Sequence, residues 1–199
     1  IDAMVVMEEL GRGMVLEPLA HAFIASSVLS NCAPADVQAA WLPRIASGQA
    51  LVVLAQQERK ARYALEKCEA KAAPAQSGYT VTAIKSIVPA GDQADAFLVP
   101  AQLDGHIALF LVERSASGVT TQGYGTQDGS RAAEVQFANA PATLVTKDGL
   151  AALELAVDTG IAALCAEAVG VMDKALALTV DYMNQRKQFG VTIASFQAL

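Results

Sequence analysis

Residues 148–185 read DGLAALELAVDTGIAALCAEAVGVMDKALALTVDYMNQ, with no proline and only Gly149, Gly160 and Gly170 as glycines. Leu150, Leu153, Ala156 or Val157, Ile161, Leu164, Ala168, Val171, Ala175, Leu178 and Tyr182 recur at steps of three and four. That period predicts one long helix with an apolar stripe, roughly 50 Å long at 1.5 Å per residue. Its many alanines would let partner helices come close, and a helix of this length belongs to a bundle or an oligomer interface. Gly190 is expected to close it.

Upstream of this helix the pattern changes. Residues 50–140 carry short apolar runs, Leu51–Leu54, Tyr79–Thr82, Ala96–Val99 and Ile107–Val112, separated by turn residues. Asp104-Gly105 between two runs is a hairpin signal, since both tolerate the positive φ of a tight turn. Five or more such strands predict a small barrel or sandwich. Residues 1–48 read as helices again. The first ends at Gly11 and Gly13, the second covers about Leu19 to Ser30, and the third runs from Ala35 to about Ile45.

Composition bounds the function. Of 199 residues 53% are hydrophobic and 17% charged, with a net charge of −6. Such a chain has no basic footprint for nucleic acid and no basic patch for anionic lipid. No apolar stretch is expected to reach the roughly 18–20 residues that span a bilayer. Cys32, Cys68 and Cys165 fit no metal or redox spacing. An odd count without a signal segment points to a reducing, cytoplasmic setting. Gly11-Arg12-Gly13 lacks the preceding strand of a dinucleotide fingerprint and reads as a helix cap. His21 and His106 have no nucleophile at a signature turn. Both ends read as cut inside a longer protein.

Arg186-Lys187-Gln188-Phe189-Gly190 is the sharpest local signal. The Arg fork suits pyrophosphate oxygens, although a basic residue at a helix end also compensates the helix dipole. In full, Asp181–Gly190 followed by Ile193 and Ser195–Leu199 resembles the acyl-CoA dehydrogenase family. So do Met7–Gly13, Trp41–Gly48, Gly91–Asp95 after Lys85, and Arg131–Val135, in order and across the chain. Met4–Gly13 and Asp128–Val135 look most like the small-subunit type of pimeloyl-CoA dehydrogenase. The resemblance implies an α+β multi-domain fold. Residues 1–48 would end an N-terminal helical domain and 49–145 would form the middle β-barrel or sandwich domain. Residues 146–199 would be the first helix and the start of the second helix of a C-terminal four-helix bundle.

The resemblance also implies a flavoprotein that dehydrogenates acyl-CoA thioesters at the α,β positions with FAD, with a dicarboxyl-CoA such as pimeloyl-CoA as one substrate class. Electron-transfer flavoprotein or a similar acceptor would take the electrons. The assembly would be a homo- or hetero-oligomer, such as a dimer of dimers. Arg186, Gln188, Phe189, Phe196 and Gln197 would meet the cofactor at a subunit boundary. Leu54, Ala55, Gln56 and Gln57 would run beside the flavin, and Ile87, Val88 and Pro89 would pack on it. Glu58, Tyr63 and Asp158 would lie toward the substrate.

Two departures from the family pattern stand out. Glu58-Arg59-Lys60-Ala61-Arg62-Tyr63-Ala64 replaces a glycine-rich Glu-Pro-Gly-x-Gly-Ser-Asp, and Ile87-Val88-Pro89 replaces Trp-Ile-Thr. Pro89 offers neither N–H nor hydroxyl. One family position for the catalytic base falls at Gly160 and the other beyond Leu199, so no catalytic residue is assigned. The chain by itself is expected to be inert and poorly stable. An alternative is a non-catalytic, FAD-contacting subunit of a heteromeric dehydrogenase. A third reading, a helical interaction domain, leaves the β zone and the Arg186–Gly190 motif unexplained.

Overall fold

A computed structural model describes residues 2–61 and 63–196. Three helices come first, α1 (Asp2–Gly13), α2 (Leu19–Cys32) and α3 (Ala35–Ala46). Seven strands follow: β1 (Val52–Leu54), β2 (Lys71–Pro74), β3 (Tyr79–Pro89), β4 (Ala96–Leu103), β5 (His106–Glu113), β6 (Val119–Gly125) and β7 (Arg131–Thr146). Helix α4 (Gly149–Gln185) then leads to a small hairpin, β8 (Lys187–Gln188) and β9 (Val191–Thr192), and a 3-10 turn at Ile193–Ser195. The chain divides into two compact units, Glu17–Ile161, and Ile1–Leu16 with Ala162–Leu199.

In the first unit the strands close into a barrel. β4 pairs with β5, β5 with β7, β7 with β3, and β3 with β2. A parallel contact of Lys71 with Gln102 returns β2 to β4. β1 adds to β4 and β6 to β7. Asp104 (φ 51) and Gly105 (φ 82) make the expected turn between β4 and β5. β2, β6 and most of β7 carry Gly, Pro, Ala and polar residues, so their apolar alternation is weak in the sequence.

β4 shows why its run is almost wholly apolar. Phe97, Val99, Ala101 and Leu103 point into the barrel with Phe110, Val112, Val135 and Phe137. Ala96 and Leu98 point the other way, onto Val28, Leu29, Trp41, Ala152 and Ala156 from α2, α3 and α4. A strand covered on both faces needs apolar residues at both parities. The start of α4 is seated closely on the barrel. A Cβ at Gly149 would come within 2.7 Å of the Ile107 carbonyl oxygen.

One charged pair lies inside this apolar barrel. Lys85, fully buried on β3, donates to Glu58 Oε1 at 2.6 Å and to the Pro100 carbonyl oxygen at 3.0 Å. Its third contact is the Gln56 carbonyl oxygen at 3.4 Å. Glu58 also accepts the backbone N–H of Glu69 at 2.6 Å and of Ala70 at 3.2 Å. Burial by itself pushes the Glu58 carboxyl up. The Lys85 hydrogen bond and charge, with the two backbone donors, outweigh it and hold the group below its ordinary value of 4.5.

The second unit rests on small residues. An added Cβ at Gly11 of α1 would collide with the Glu167 carbonyl, and one at Gly170 of α4 with the Glu8 carbonyl. Gly11 is therefore a packing residue and not the cap expected from the sequence; Met14 (φ 53) takes the left-handed position after the helix. Arg12 bonds Glu8 at 2.9 Å and Asp173 at 2.5 Å, pairs exposed enough to orient more than to stabilise.

Of the apolar stripe on α4, Leu153 and Ala156 are buried together with Ala152, Gly160, Ala163, Ala166 and Gly170, while Leu150, Ile161, Leu164, Leu178 and Tyr182 are exposed. Close approach favours the small side chains on the buried side. Two other expectations about α4 are corrected. Gly190 does not close the helix. It sits with Phe189 (φ 54) at positive φ 87 in the β8–β9 turn. Finally, α4 is long and apolar enough to cross a membrane by length and composition alone. Its most apolar 18-residue window has a mean hydropathy of 1.6 and is 28% buried. Scattered Ala, Val and Leu give this value without any unbroken apolar run, which is why the residue pattern hid it.

Two outcomes follow from this packing. Gly170→Ala gains about 1 kcal/mol of helix propensity. It overpacks a backbone contact that cannot rotate away, so a net loss of about 1–3 kcal/mol is expected. Denaturant titration reads this, and an unchanged midpoint contradicts the close packing. Lys85→Met strands a buried carboxylate and should cost about 3–5 kcal/mol. Because the folded Glu58 value is lowered, its contribution is fully present above pH 4.5 and is lost as pH falls through the folded value. Glu58→Gln should flatten that acid limb of stability; an identical limb in wild type and variant argues against the pair.

Candidate functional site

The β3–β7 pairing contains the irregularity from which the site is built. Lys85 pairs with Val135 and Val88 with Ala133, so Ser86 and Ile87 together face the single residue Glu134. This β-bulge leaves Ile87 at φ 52 and half exposed. The Ser86 N–H donates to the Gln57 carbonyl oxygen at 2.8 Å, which lays the bulge alongside the segment after β1. Leu54, Gln56 and Gln57 are half-buried and Ala55 is buried. On the β3 side Val88 is buried and Pro89 half-buried. The bulge that carries Ile87 thus lies beside the backbone of the segment that carries Gln56 and Gln57.

Glu134 organises the bulge. It accepts from Ser86 Oγ at 2.9 Å, the Ile87 N–H at 3.3 Å and Tyr124 Oη at 3.5 Å. Arg59 stands 3.6 Å away. Burial raises the Tyr124 hydroxyl above its ordinary value, and the Glu134 charge adds to this.

A second group of expected residues gathers at the end of α4. The Ile193 N–H donates to the Arg186 carbonyl oxygen at 2.9 Å and closes the β8–β9 hairpin. Gln188 Nε2 donates to the Lys187 carbonyl oxygen at 2.9 Å. Phe189 and Phe196 meet edge-on with centroids 6.5 Å apart, although Phe189 is 93% exposed. The Arg186 side chain is exposed as well. Exposed aromatic rings near a helix end are a surface that a planar ligand could cover. Gln197 lies outside the described residues.

The residues expected toward the substrate do not gather. The Glu58 carboxylate is 6% exposed and its oxygens are taken by Lys85, Glu69 and Ala70, so its geometry is that of a barrel tie. Tyr63 is 92% exposed on the loop after Glu58. Asp158 is exposed on α4. At Gly160 an added Cβ would come within 3.1 Å of Ile24 Cδ1, so an acid there would have to displace that side chain. Among the described residues no cluster of His, Cys, Asp and Glu could hold a metal ion.

Lys85 and Glu134 went unassigned in the sequence reading. The signal for Lys85 was present: it shares the inward parity of Val81 and Ala83 on a strand, which demands a buried partner. Glu134 gave no such signal, because its role depends on a register shift.

Residues 147–199 match the family model "Acyl-CoA dehydrogenase, C-terminal domain". An acyl-CoA dehydrogenase of Mycobacterium tuberculosis is 26% identical over 203 residues, covering 100% of this chain and 52% of that protein. The mitochondrial isovaleryl-CoA dehydrogenase of Arabidopsis thaliana is 26% identical over 209 residues, covering 97% of this chain and 51% of that protein. The solved ChsE4-ChsE5 complex from Mycobacterium tuberculosis superposes with a TM-score of 0.81 at 26% identity, over 98% of this chain and 53% of that one. The chain thus spans about half the length of these relatives. It has the acyl-CoA dehydrogenase fold, and its likenesses in sequence and structure support membership of the acyl-CoA dehydrogenase family.

Proposed function

We propose that the protein is a flavoprotein oxidoreductase that dehydrogenates an acyl-CoA thioester at the α,β positions. The observation that carries this reading is the rim of the barrel, where residues 54–57 and 86–89 run side by side through the Ser86 to Gln57 hydrogen bond at 2.8 Å. FAD, when bound, supplies the hydride acceptor. The chain's own residues bind and orient. Ile87 and Pro89 offer apolar surface, Gln56 and Gln57 offer amides, and Arg186 with Gln188 offers donors for pyrophosphate. Arg186 and Gln188 would meet the cofactor of a neighbouring subunit, where Phe189 and Phe196 would exclude water, with Gln197 close by. Asp158 and Tyr63 remain proposed substrate contacts, whereas Glu58 acts through Lys85 as part of the frame.

The domain division at 1–48, 49–145 and 146–199 belongs to this proposal, as does a cytoplasmic setting. So does an electron-transfer flavoprotein or similar acceptor. The motifs at Met4–Gly13 and Asp128–Val135 favour the pimeloyl-type subfamily and hence a dicarboxyl-CoA substrate. The similar ChsE4-ChsE5 structure is a complex of two proteins, which supports keeping a heteromeric, non-catalytic FAD-contacting subunit as the second reading. Anaerobic addition of acyl-CoA separates the two. Bleaching of the flavin absorbance by the protein alone supports the enzyme; bound flavin that no acyl-CoA bleaches supports the subunit.

Arg186→Ala in the full protein should weaken FAD binding by about tenfold, the scale of one charge-assisted pyrophosphate contact, with helix content unchanged by circular dichroism. Equal flavin retention in variant and wild type would return Arg186 to compensation of the helix dipole.

A further inference from the structure

We infer that Glu134 is a positioning residue for the cofactor surface, acting by holding Ile87 in a strained conformation. The inference rests on the FAD reading above. A β-branched residue in the left-handed region is a backbone outlier, because its Cβ substituents crowd the adjacent peptide. Such strain persists only where surrounding structure enforces it, and it gathers at ligand-binding positions. Here the strained side chain is 51% exposed, so burial of Ile87 does not hold the conformation.

The restraint comes from across the sheet. Glu134 is the single residue opposite the two bulge residues Ser86 and Ile87. Its carboxylate takes the Ile87 N–H at 3.3 Å and the Ser86 hydroxyl at 2.9 Å, partners that a regular ladder would not need. Tyr124 and Arg59 approach the same carboxylate from β6 and from the loop after Glu58. The two sides of the bulge are fastened by different groups: the Ser86 N–H by Gln57, and the Ile87 N–H by Glu134. A bulge fixed at both ends re-aims its outward side chain. The outward side chain here is Ile87, on the surface proposed to carry the flavin.

The test uses the full protein, its FAD affinity by flavin fluorescence, and the visible spectrum of bound flavin. Glu134→Ala should weaken FAD about tenfold, equivalent to 1.4 kcal/mol, and shift the flavin band. Glu134→Gln keeps an acceptor for the Ile87 N–H and should recover most of the affinity. Ile87→Gly can adopt the same φ without strain, so its thermal midpoint should be unchanged or higher while FAD binds more weakly. Adding Glu134→Ala to Ile87→Gly should change affinity less than about twofold, because nothing strained is left to hold. A full tenfold loss in that background as well would show that Glu134 acts independently of Ile87 and overturn the inference. Wild-type affinity in Glu134→Ala would overturn it too, leaving the FAD reading intact. Absence of FAD binding by the wild-type protein would overturn both. Should Glu134→Ala fail to fold, the Gln variant decides: an affinity as low as that of Ile87→Gly, without rescue, contradicts the role.

Discussion

The buried ion pair of Lys85 with Glu58 is the constraint on which the candidate site depends. A charge in an apolar barrel is tolerable only when every lone pair and proton finds a partner. The partners of this pair come from three places: the segment after β1, the two residues just before β2, and β4. The ion pair therefore fixes the segment 54–58 against β3 at the residue just before the bulge. The Ser86–Gln57 bond and the Glu134 contacts then set the bulge itself. Electrostatics inside the barrel and strain at its rim are parts of one arrangement.

Helix α4 works by a different physical rule. Apart from the buried Leu153, it meets other elements mainly through alanine and glycine, and backbones approach to contact at Gly11, Gly149 and Gly170. From Met172 to Tyr182 larger apolar residues remain exposed, among them Leu176, Leu178 and Val180. Residues 147–199, which include this helix, are the part of the chain that matches the acyl-CoA dehydrogenase C-terminal domain. Its hydropathy alone does not distinguish a bundle from a bilayer.

The succession of helices, strands and one long helix was legible because its signals are periodic. The Asp104-Gly105 turn was legible because few residues accept positive φ. β2, β6 and the length of β7 were not, since Lys71–Pro74 and Val119–Gly125 carry little apolar alternation. On α4 the stripe positions Leu153 and Ala156 are buried, and the other buried positions are alanine and glycine, which carry little weight in an apolar pattern. At the site, the Arg186–Gln188 and Ile87–Pro89 positions came from family resemblance, and the structure adds why Ile87 stands as it does. Glu58, which resemblance puts near the ligand, is bonded within the barrel to Lys85 and to two backbone N–H groups. Lys85 could have been found from strand parity; Glu134 could not, because a one-residue register shift leaves no mark in a single sequence.

The most direct measurement is a crystal structure of the full protein grown with FAD. The account predicts the isoalloxazine ring against Ile87 and Pro89 and beside Gln56 and Gln57, with Ile87 at positive φ and Glu134 on its N–H. A flavin bound elsewhere, or a regular β3–β7 ladder with Ile87 in the extended region, would contradict it.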